Sequence, residues 1–308
     1  MPSPLPGRRS LARRIYASRH IYLFVLPGLL FFLIFRYYPL YFLQIAFRNF
    51  RVTRPLSASP WVGLKYFEEV FTSVSFQGAL VNTLVLNLLK LLICFPAPIV
   101  LALLMNELRS PLYKRGVQTI LYLPHFVSWV VISSILTNLL SVQGGLFNKI
   151  GALFGAEPVM FLGEKGMFKM ILVLSDLWKE SGYGAIIYLA ALTGIDPQLY
   201  EAADIDGANR FQRMWHITLA GIKETIVVML ILRVGSMLGG SFDQVQSLIN
   251  PQVQSAGDTL DTFVFRLGVS QNRYGFAAAA GLFNSVVAAI LLFFSDRFAK
   301  RLGERGLF

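Results

Sequence analysis

Charged side chains inside apolar sequence are the residues of this chain whose types suggest chemistry. Asp176, Lys179 and Glu180 lie within one long apolar run, with Trp178 and Tyr183 beside them. Asp176 and Lys179 are three residues apart, so on a helix they share a face and can form an ion pair. Carboxylates, a cation and aromatic rings together suit a sugar, which offers hydroxyls to polar groups and an apolar face to a ring. Two interpretations stay open: a substrate path, or an ion pair that stabilises a helix bundle.

Four further basic residues lie in or near apolar runs: Arg36, Lys90, Lys169 and Arg233. Buried charge inside a membrane costs free energy, so each is a candidate for function. For Arg36, Lys169 and Lys90 there is an alternative: a nearby helix end would let the long side chain extend to the membrane surface.

Motifs for chemistry on phosphates, metals or thiols are missing from the sequence. It contains no G-x-x-x-x-G-K-[ST], no H-E-x-x-H and no C-x-x-C, and its histidines are His20, His125 and His216. A membrane enzyme needs a nucleophile or an acid/base pair at recognisable spacing. We therefore expect the chain to be no enzyme and to bind no cofactor or metal itself.

A polar stretch between two apolar runs predicts a compact knob of two short helices over residues 196–216, called the knob below. Asp196 before Pro197 is a typical helix start, and Gly207 supplies the backbone freedom that ends a helix near Asp206. Phe211 and Trp215 then share one face of a second helix. In the first helix, small side chains permit close approach and an acid offers charge: Ala202, Ala203 and Glu201. The alternative is a solvated connecting loop.

Composition identifies an integral membrane protein. The chain has 308 residues, of which 55% are hydrophobic and 15% charged, whereas soluble domains carry about 25% charged residues. Six apolar runs are long enough to cross a bilayer as helices, and backbone hydrogen bonding inside a membrane requires helices here. The predicted fold is therefore all-α, with six transmembrane helices near 21–45, 80–104, 119–141, 168–193, 217–239 and 276–297.

The distribution of basic residues predicts the topology. Basic residues concentrate in the tail 1–20, beside Arg109, around Arg210 and in the tail 298–308, and are sparser in the longer segments 46–79, 142–167 and 240–275. Cytoplasmic segments are the basic ones, so both termini and the knob should be cytoplasmic and the three long segments external. The net charge of +11 fits this topology better than nucleic-acid binding.

The external segment 240–275 contains one apolar helical face. Leu260, Phe263, Val264 and Leu267 follow helical spacing. This face is expected to lie on the outer leaflet; the alternatives are packing against neighbouring helices or docking of an external protein.

The knob resembles the EAA loop of importer-type ABC transporter permeases. That pattern is E-A-A, a glycine four residues after the second alanine, and then I-x-L-P; here it reads Glu201-Ala202-Ala203, Gly207 and Ile217-Thr218-Leu219. Ala220 stands where the family usually has proline. Further stretches are similar to the polysaccharide-type (LplB-like) branch of sugar ABC permeases, which includes permeases of oligosaccharide and alginate importers: Tyr37-Tyr38-Pro39-Leu40, Gly63-Leu64-Lys65-Tyr66-Phe67 and Leu121-Tyr122-Leu123-Pro124-His125-Phe126.

The resemblance implies a type I ABC importer permease of the bacterial inner membrane. It implies as partners a second homologous permease, two ABC ATPase subunits that bind ATP with Mg²⁺, and an external solute-binding protein that delivers an oligosaccharide. Coupling to the ATPase would fall to seven knob residues: Glu201, Ala202, Ala203, Asp206, Gly207, Phe211 and Trp215. The path for substrate would run past Asp176, Trp178, Lys179 and Tyr183.

Two alternatives come from other classes. An ion-gradient-driven secondary transporter would use Asp176, Lys179 and Glu180 as a relay. A membrane enzyme acting on glycans would need catalytic residues that the sequence does not display.

Overall fold

The structure is a computed structural model that describes residues 18–108 and 110–301. Arg109 and most of the predicted terminal tails, 1–20 and 298–308, lie outside these residues. The described residues form an all-helical chain in which a single bridge, Arg48 to Trp61, is the one sheet-like contact. The helices are α1 Arg19–Phe47, α2 Lys65–Thr72, α3 Val74–Ile93, α4 Pro96–Asn106, α5 Pro111–Tyr122, α6 Trp129–Leu139, α7 Leu146–Leu153, α8 Lys165–Leu192, α9 Pro197–Ile205, α10 Arg210–Arg213, α11 Lys223–Gly235, α12 Phe242–Leu248, α13 Gln254–Gly257, α14 Leu260–Phe265 and α15 Tyr274–Arg301.

Helices occupy all six segments that the sequence marks as apolar. Within the described ranges, three helical stretches are long and apolar enough to cross a membrane: Arg19–Phe47, Val74–Asn106 (α3 and α4 together) and Tyr274–Arg301. The bent pair Pro111–Phe126 and Trp129–Leu139 makes a fourth if it is one span. The helix α8 has 28 residues but carries several charges, and α11 has only 13 residues. Helix length and apolar composition alone therefore identify fewer crossings than the six predicted.

The third apolar segment is a broken helix, and the prediction of one continuous span over 119–141 is wrong. The helix begins earlier, at Pro111, where Ser110 caps it, and ends in a 3₁₀ turn over Leu123–Phe126. A second helix starts at Trp129 and is bent by 97° from the first. Pro124 cannot donate a backbone hydrogen bond, and the Ser128 side chain accepts from the Val131 N–H to start the new helix.

The long helix α8 forms the centre of the bundle and packs against α3, α4 and α5. Its N-terminal part buries Phe168, Leu172 and Val173 against side chains of α3 and α12. Farther along, Gly182 lies so close to α5 that a Cβ would collide with the Leu121 carbonyl. This missing side chain lets the two helices approach each other, so α8 holds its polar residues in the middle of the protein.

The apolar face in the segment 240–275 is buried, so its predicted position on the outer leaflet is wrong. Leu260, Phe263 and Leu267 are at most 6% exposed and pack with α3 and α15. The helix is short, Leu260–Phe265, followed by one π-helical turn over Arg266–Ser270. The alternative, packing against neighbouring helices, is the one found.

Candidate functional site

A buried cation on α3 organises the polar cluster in the bundle. Lys90 is 2% exposed. Its Nζ lies 3.1 Å from Asp176 Oδ1 on α8 and donates to Ser241 Oγ at 3.0 Å and to Gln244 Oε1 at 2.6 Å on the chain around α12. The ammonium group is thus fully used inside the protein, and the interpretation that Lys90 extends to the membrane surface is wrong.

Asp176 is shared by two cations from other helices. Its second oxygen, Oδ2, lies 3.4 Å from a guanidinium nitrogen of Arg233 on α11. The predicted pair of Asp176 with Lys179 is wrong, since Lys179 instead donates to the His125 carbonyl at 2.5 Å and lies 3.3 Å from Glu180. Spacing along one helix gave the wrong partner because helices distant in sequence bring their cations closer.

A stacked pair of rings lies beside these charges. The imidazole of His125 and the ring of Tyr183 are parallel within 2°, with centroids 3.8 Å apart. His125 Nδ1 lies 2.8 Å from Glu180 Oε2, which fixes the imidazole in the stack. The Lys179 ammonium lies 5.6 Å from the centre of the Trp129 ring, within range of a cation–π contact. Charge and aromatic surface are therefore combined on the same wall.

This wall lines an open cavity of about 450 Å³ between α4, the turn Leu123–Phe126, the start of α6, α8 and α11. Its ionisable and aromatic lining consists of Cys94, Phe95, His125, Trp129, Asp176, Glu180, Tyr183, Tyr188 and Arg233. Of the four residues proposed for a substrate path, Asp176 and Tyr183 line the cavity and Lys179 lies directly behind it. Trp178 is 58% exposed on the outer side of α8 and does not line it. Such a lining can accept hydrogen bonds from hydroxyls, stack an aromatic ring on a sugar ring and bind a charged group.

Sequence reasoning missed the site residues contributed by other segments. His125 was named as a histidine and within a stretch that carries the family resemblance, but not as a site residue, although the break at Pro124 and Ser128 marks the turn that brings it to the cavity. Arg233 and Lys90 were noted as charges in apolar runs, without partners. No sequence signal pointed to Gln244, which also donates to the Leu172 carbonyl at 2.7 Å.

The first helix of the knob forms as predicted. Asp196 accepts from the Gln198 N–H at 2.9 Å, and the helix runs over Pro197–Ile205. Gly207 adopts φ +73°, a left-handed conformation that glycine takes without strain. Of the proposed coupling residues here, Glu201, Ala202 and Asp206 are exposed and Ala203 is half-buried.

The second half of the knob presents a bare aromatic face. Asn209 and Gln212 cap the new helix reciprocally, at 2.8 and 3.0 Å. The helix Arg210–Arg213 continues as a π-helical turn over Met214–Thr218. Phe211 and Trp215 are 78% and 65% exposed. Both large apolar side chains therefore lie on the surface of the free chain.

Two polar contacts hold the halves of the knob together. Asp204 pairs with Arg213, and Tyr200 Oη lies 3.0 Å from Thr218 Oγ1. After the knob, a short helical turn covers Leu219–Gly221. Ile222, with φ −103° and ψ 8°, ends this turn before α11 begins. Ala220, in the place of the expected proline, continues that turn, and the chain bends two residues later.

Comparison with known proteins agrees with this architecture. Residues 94–305 match the family model described as binding-protein-dependent transport system inner membrane component. The matched part includes the broken third segment, the cavity wall and the whole knob.

Relatives and solved structures extend the likeness to nearly the whole chain. The polygalacturonan/rhamnogalacturonan transport system permease protein YteP of Bacillus subtilis strain 168 is 44% identical over 98% of this chain and 94% of its own. Protein LplB of the same strain is 45% identical, over 94% and 92%. One chain in the crystal structure of a bacterial ABC transporter that imports the acidic polysaccharide alginate is 39% identical, with TM-score 0.89 over 95% of this chain and 99% of that one. The alginate transporter was also solved with its alginate pentasaccharide-bound periplasmic protein, where a matching chain has TM-score 0.89 and 38% identity, over 97% of this chain and all of that one.

Proposed function

The chain belongs to the family of binding-protein-dependent transport system inner membrane components, and we propose that its substrate is an acidic oligosaccharide. It has the type I permease fold and is a sugar permease subunit of an ABC importer, a transport component and not an enzyme. This membership replaces both alternatives considered from sequence, the ion-gradient-driven transporter and the glycan enzyme. The acidic substrate is supported by two of the proteins named above: the polygalacturonan/rhamnogalacturonan permease YteP and the permease of the alginate importer.

The observation that carries the proposal is the 450 Å³ cavity with its mixed lining. The stacked rings of His125 and Tyr183 offer an aromatic face to a sugar, and Glu180 offers a hydrogen-bond acceptor. Both charged and aromatic groups face the same space within the apolar bundle, where an ionisable side chain is a mark of function. The substrate path therefore includes Asp176 and Tyr183, with Lys179 behind them, and excludes Trp178.

The permease works in an assembly. A second homologous permease completes the path, two ABC ATPase subunits bind ATP with Mg²⁺, and an external solute-binding protein delivers the oligosaccharide. The relative solved with a bound periplasmic protein supports the last of these. Six crossings of the bacterial inner membrane with both termini in the cytoplasm place the knob on the ATPase side, as the basic segments favour.

The knob couples the permease to an ATPase subunit. Phe211 and Trp215 insert into a cleft of the ATPase, and Glu201 pairs with a basic group there. Gly207 permits the turn, Ala202 and Ala203 permit close packing, and Asp206 ends the first helix. Closure of the ATPase pair on ATP moves the knob, and the cavity alternates between outward and inward access. Each ligand drives this cycle only by binding one state more tightly than the other.

Purification of the tagged chain from its native membrane in mild detergent tests the assembly. A second permease and an ATPase with a phosphate loop are expected to copurify, and the complex in liposomes should import a galacturonan oligosaccharide only with ATP and the binding protein. A chain that purifies alone and moves the sugar with an ion gradient would overturn the proposal.

A further inference from the structure

We infer that Arg233 is the specificity-determining residue that binds a carboxylate of the sugar in the cavity. The inference rests on the proposed function and adds to it the group that selects an acidic over a neutral oligosaccharide. It follows from the way in which the charges around the cavity are shared.

The carboxylate of Asp176 is committed first to Lys90. Lys90 lies nearer, at 3.1 Å, is 2% exposed, and is held by two further hydrogen bonds from its ammonium group to Ser241 and Gln244. An ammonium buried this deeply needs a carboxylate, because an unpaired charge in that place strongly destabilises the folded state. Asp176 is therefore the counter-ion that keeps Lys90 in the bundle.

Arg233 is the weaker partner of the same carboxylate. Its guanidinium lies 3.4 Å from Asp176 Oδ2, and its side chain is 36% exposed towards the cavity. The other acid of the lining, Glu180, is engaged by Lys179 at 3.3 Å and by His125 at 2.8 Å. Two cations thus share Asp176 while Glu180 has its own partners, which leaves one positive charge in excess at the guanidinium.

A carboxylate on the ligand would accept hydrogen bonds from the Arg233 guanidinium and would also neutralise its excess positive charge. A guanidinium has five N–H donors in a planar fork that fits a carboxylate in a bidentate arrangement. One guanidinium nitrogen of Arg233 donates to Asp176, and the remaining N–H donors are left for a ligand in the cavity. An excess charge inside an apolar bundle is costly, so an anionic ligand is favoured over a neutral one of the same shape. The nearby ring of Tyr183, which is 41% exposed, would hold the sugar ring that carries the carboxylate.

The test compares two oligosaccharides of equal length on the complete importer in liposomes. One is a galacturonan oligosaccharide, and the other is the same molecule with its carboxyl groups reduced to alcohols. In Arg233→Gln, the ratio of acidic to neutral sugar uptake is expected to fall about tenfold or more relative to wild type, while uptake of the neutral sugar is maintained. Arg233→Lys keeps the charge without the fork and should give an intermediate preference.

Arg266→Gln is the matched control. Arg266 is also a partly exposed arginine, at 31%, paired with a buried aspartate, Asp258, but it lies in the segment 240–275 away from the cavity. This variant should keep the wild-type preference. Equal loss of acidic and neutral uptake in both Arg233 variants, or an unchanged preference in Arg233→Gln, would overturn the assignment. Wild-type importer that moves neither sugar would instead overturn the proposed function itself.

Discussion

Lys90 and Asp176 form a buried ion pair, 3.1 Å between Nζ and Oδ1, that joins two helices across 86 residues of sequence. The pair draws in Ser241 and Gln244 from a third segment and Arg233 from a fourth. These contacts join α3, α8, α11 and the segment around α12, and they set the charge that the cavity presents. One ion pair thus connects the stability of the protein to the site proposed above for the acidic sugar.

Lys90→Met should destabilise the protein strongly. The change leaves Asp176 with Arg233 as its remaining cation and removes the partner of two buried polar groups, so we expect a loss of about 3–5 kcal/mol. Thermal unfolding of the detergent-purified importer measures it. Lys65→Met serves as the control because Lys65 is 61% exposed and 3.9 Å from Glu69. That exposed pair contributes about 0–1 kcal/mol. Equal unfolding temperatures for the two variants would contradict the role of Lys90.

Local signals in the sequence predicted the knob, whereas contacts between distant segments determine which residues pair beside the cavity. Asp196, Pro197 and Gly207 determine their helix ends through their own backbone and side chains, so neighbouring residues suffice to place them. The partner of Asp176 depends on how α3 and α11 pack beside α8, which no residue spacing records. The 97° bend between Phe126 and Trp129 likewise lies within one apolar run, where Pro124 and Ser128 mark a break but the spacing of apolar residues does not give its angle.

Gly207→Val should uncouple transport from ATP hydrolysis. A β-branched residue at φ +73° is strained by about 1–2 kcal/mol, which would shift the turn between the two knob helices. We expect substrate-stimulated ATP hydrolysis to be abolished in the reconstituted importer, while insertion of the permease into the membrane stays normal.

Gly207→Asn provides the matched control for that turn. Asparagine tolerates the left-handed conformation better than other residues with a side chain, so this variant should keep most of the stimulated hydrolysis. Wild-type coupling in Gly207→Val would show that the turn is not needed for coupling.

The double substitution Phe211→Ala and Trp215→Ala should weaken binding of the ATPase subunit that docks on this knob. The two rings are 78% and 65% exposed in the free chain, and burying each against a partner is worth about 1.5–3 kcal/mol. The amount of ATPase that copurifies with the tagged permease, followed against salt and dilution, measures the loss. Phe154→Ala is the control, since Phe154 is 86% exposed in a segment predicted to be external. Retention of the ATPase by the double variant would contradict docking through this face.

Tyr183→Ala should weaken uptake of a galacturonan oligosaccharide, because it removes the ring that stacks on His125 at 3.8 Å and faces the cavity. An aromatic contact of this kind contributes about 0.5–1.5 kcal/mol, so KM for uptake should rise about threefold to tenfold with little change in maximal rate. Tyr183→Phe keeps the ring and should behave like wild type.

Trp178→Ala distinguishes a substrate path through the cavity from one along the opposite face of α8. Trp178 lies only five residues from Tyr183 and is larger, yet its side chain is 58% exposed on the opposite side of the helix. If the sugar passes through the cavity, removal of this ring leaves KM near the wild-type value, although Trp178 belongs to the same polar and aromatic cluster in the sequence. An increase in KM as large as that of Tyr183→Ala would mean that the path runs along the outer face of α8, and the cavity would lose its assignment.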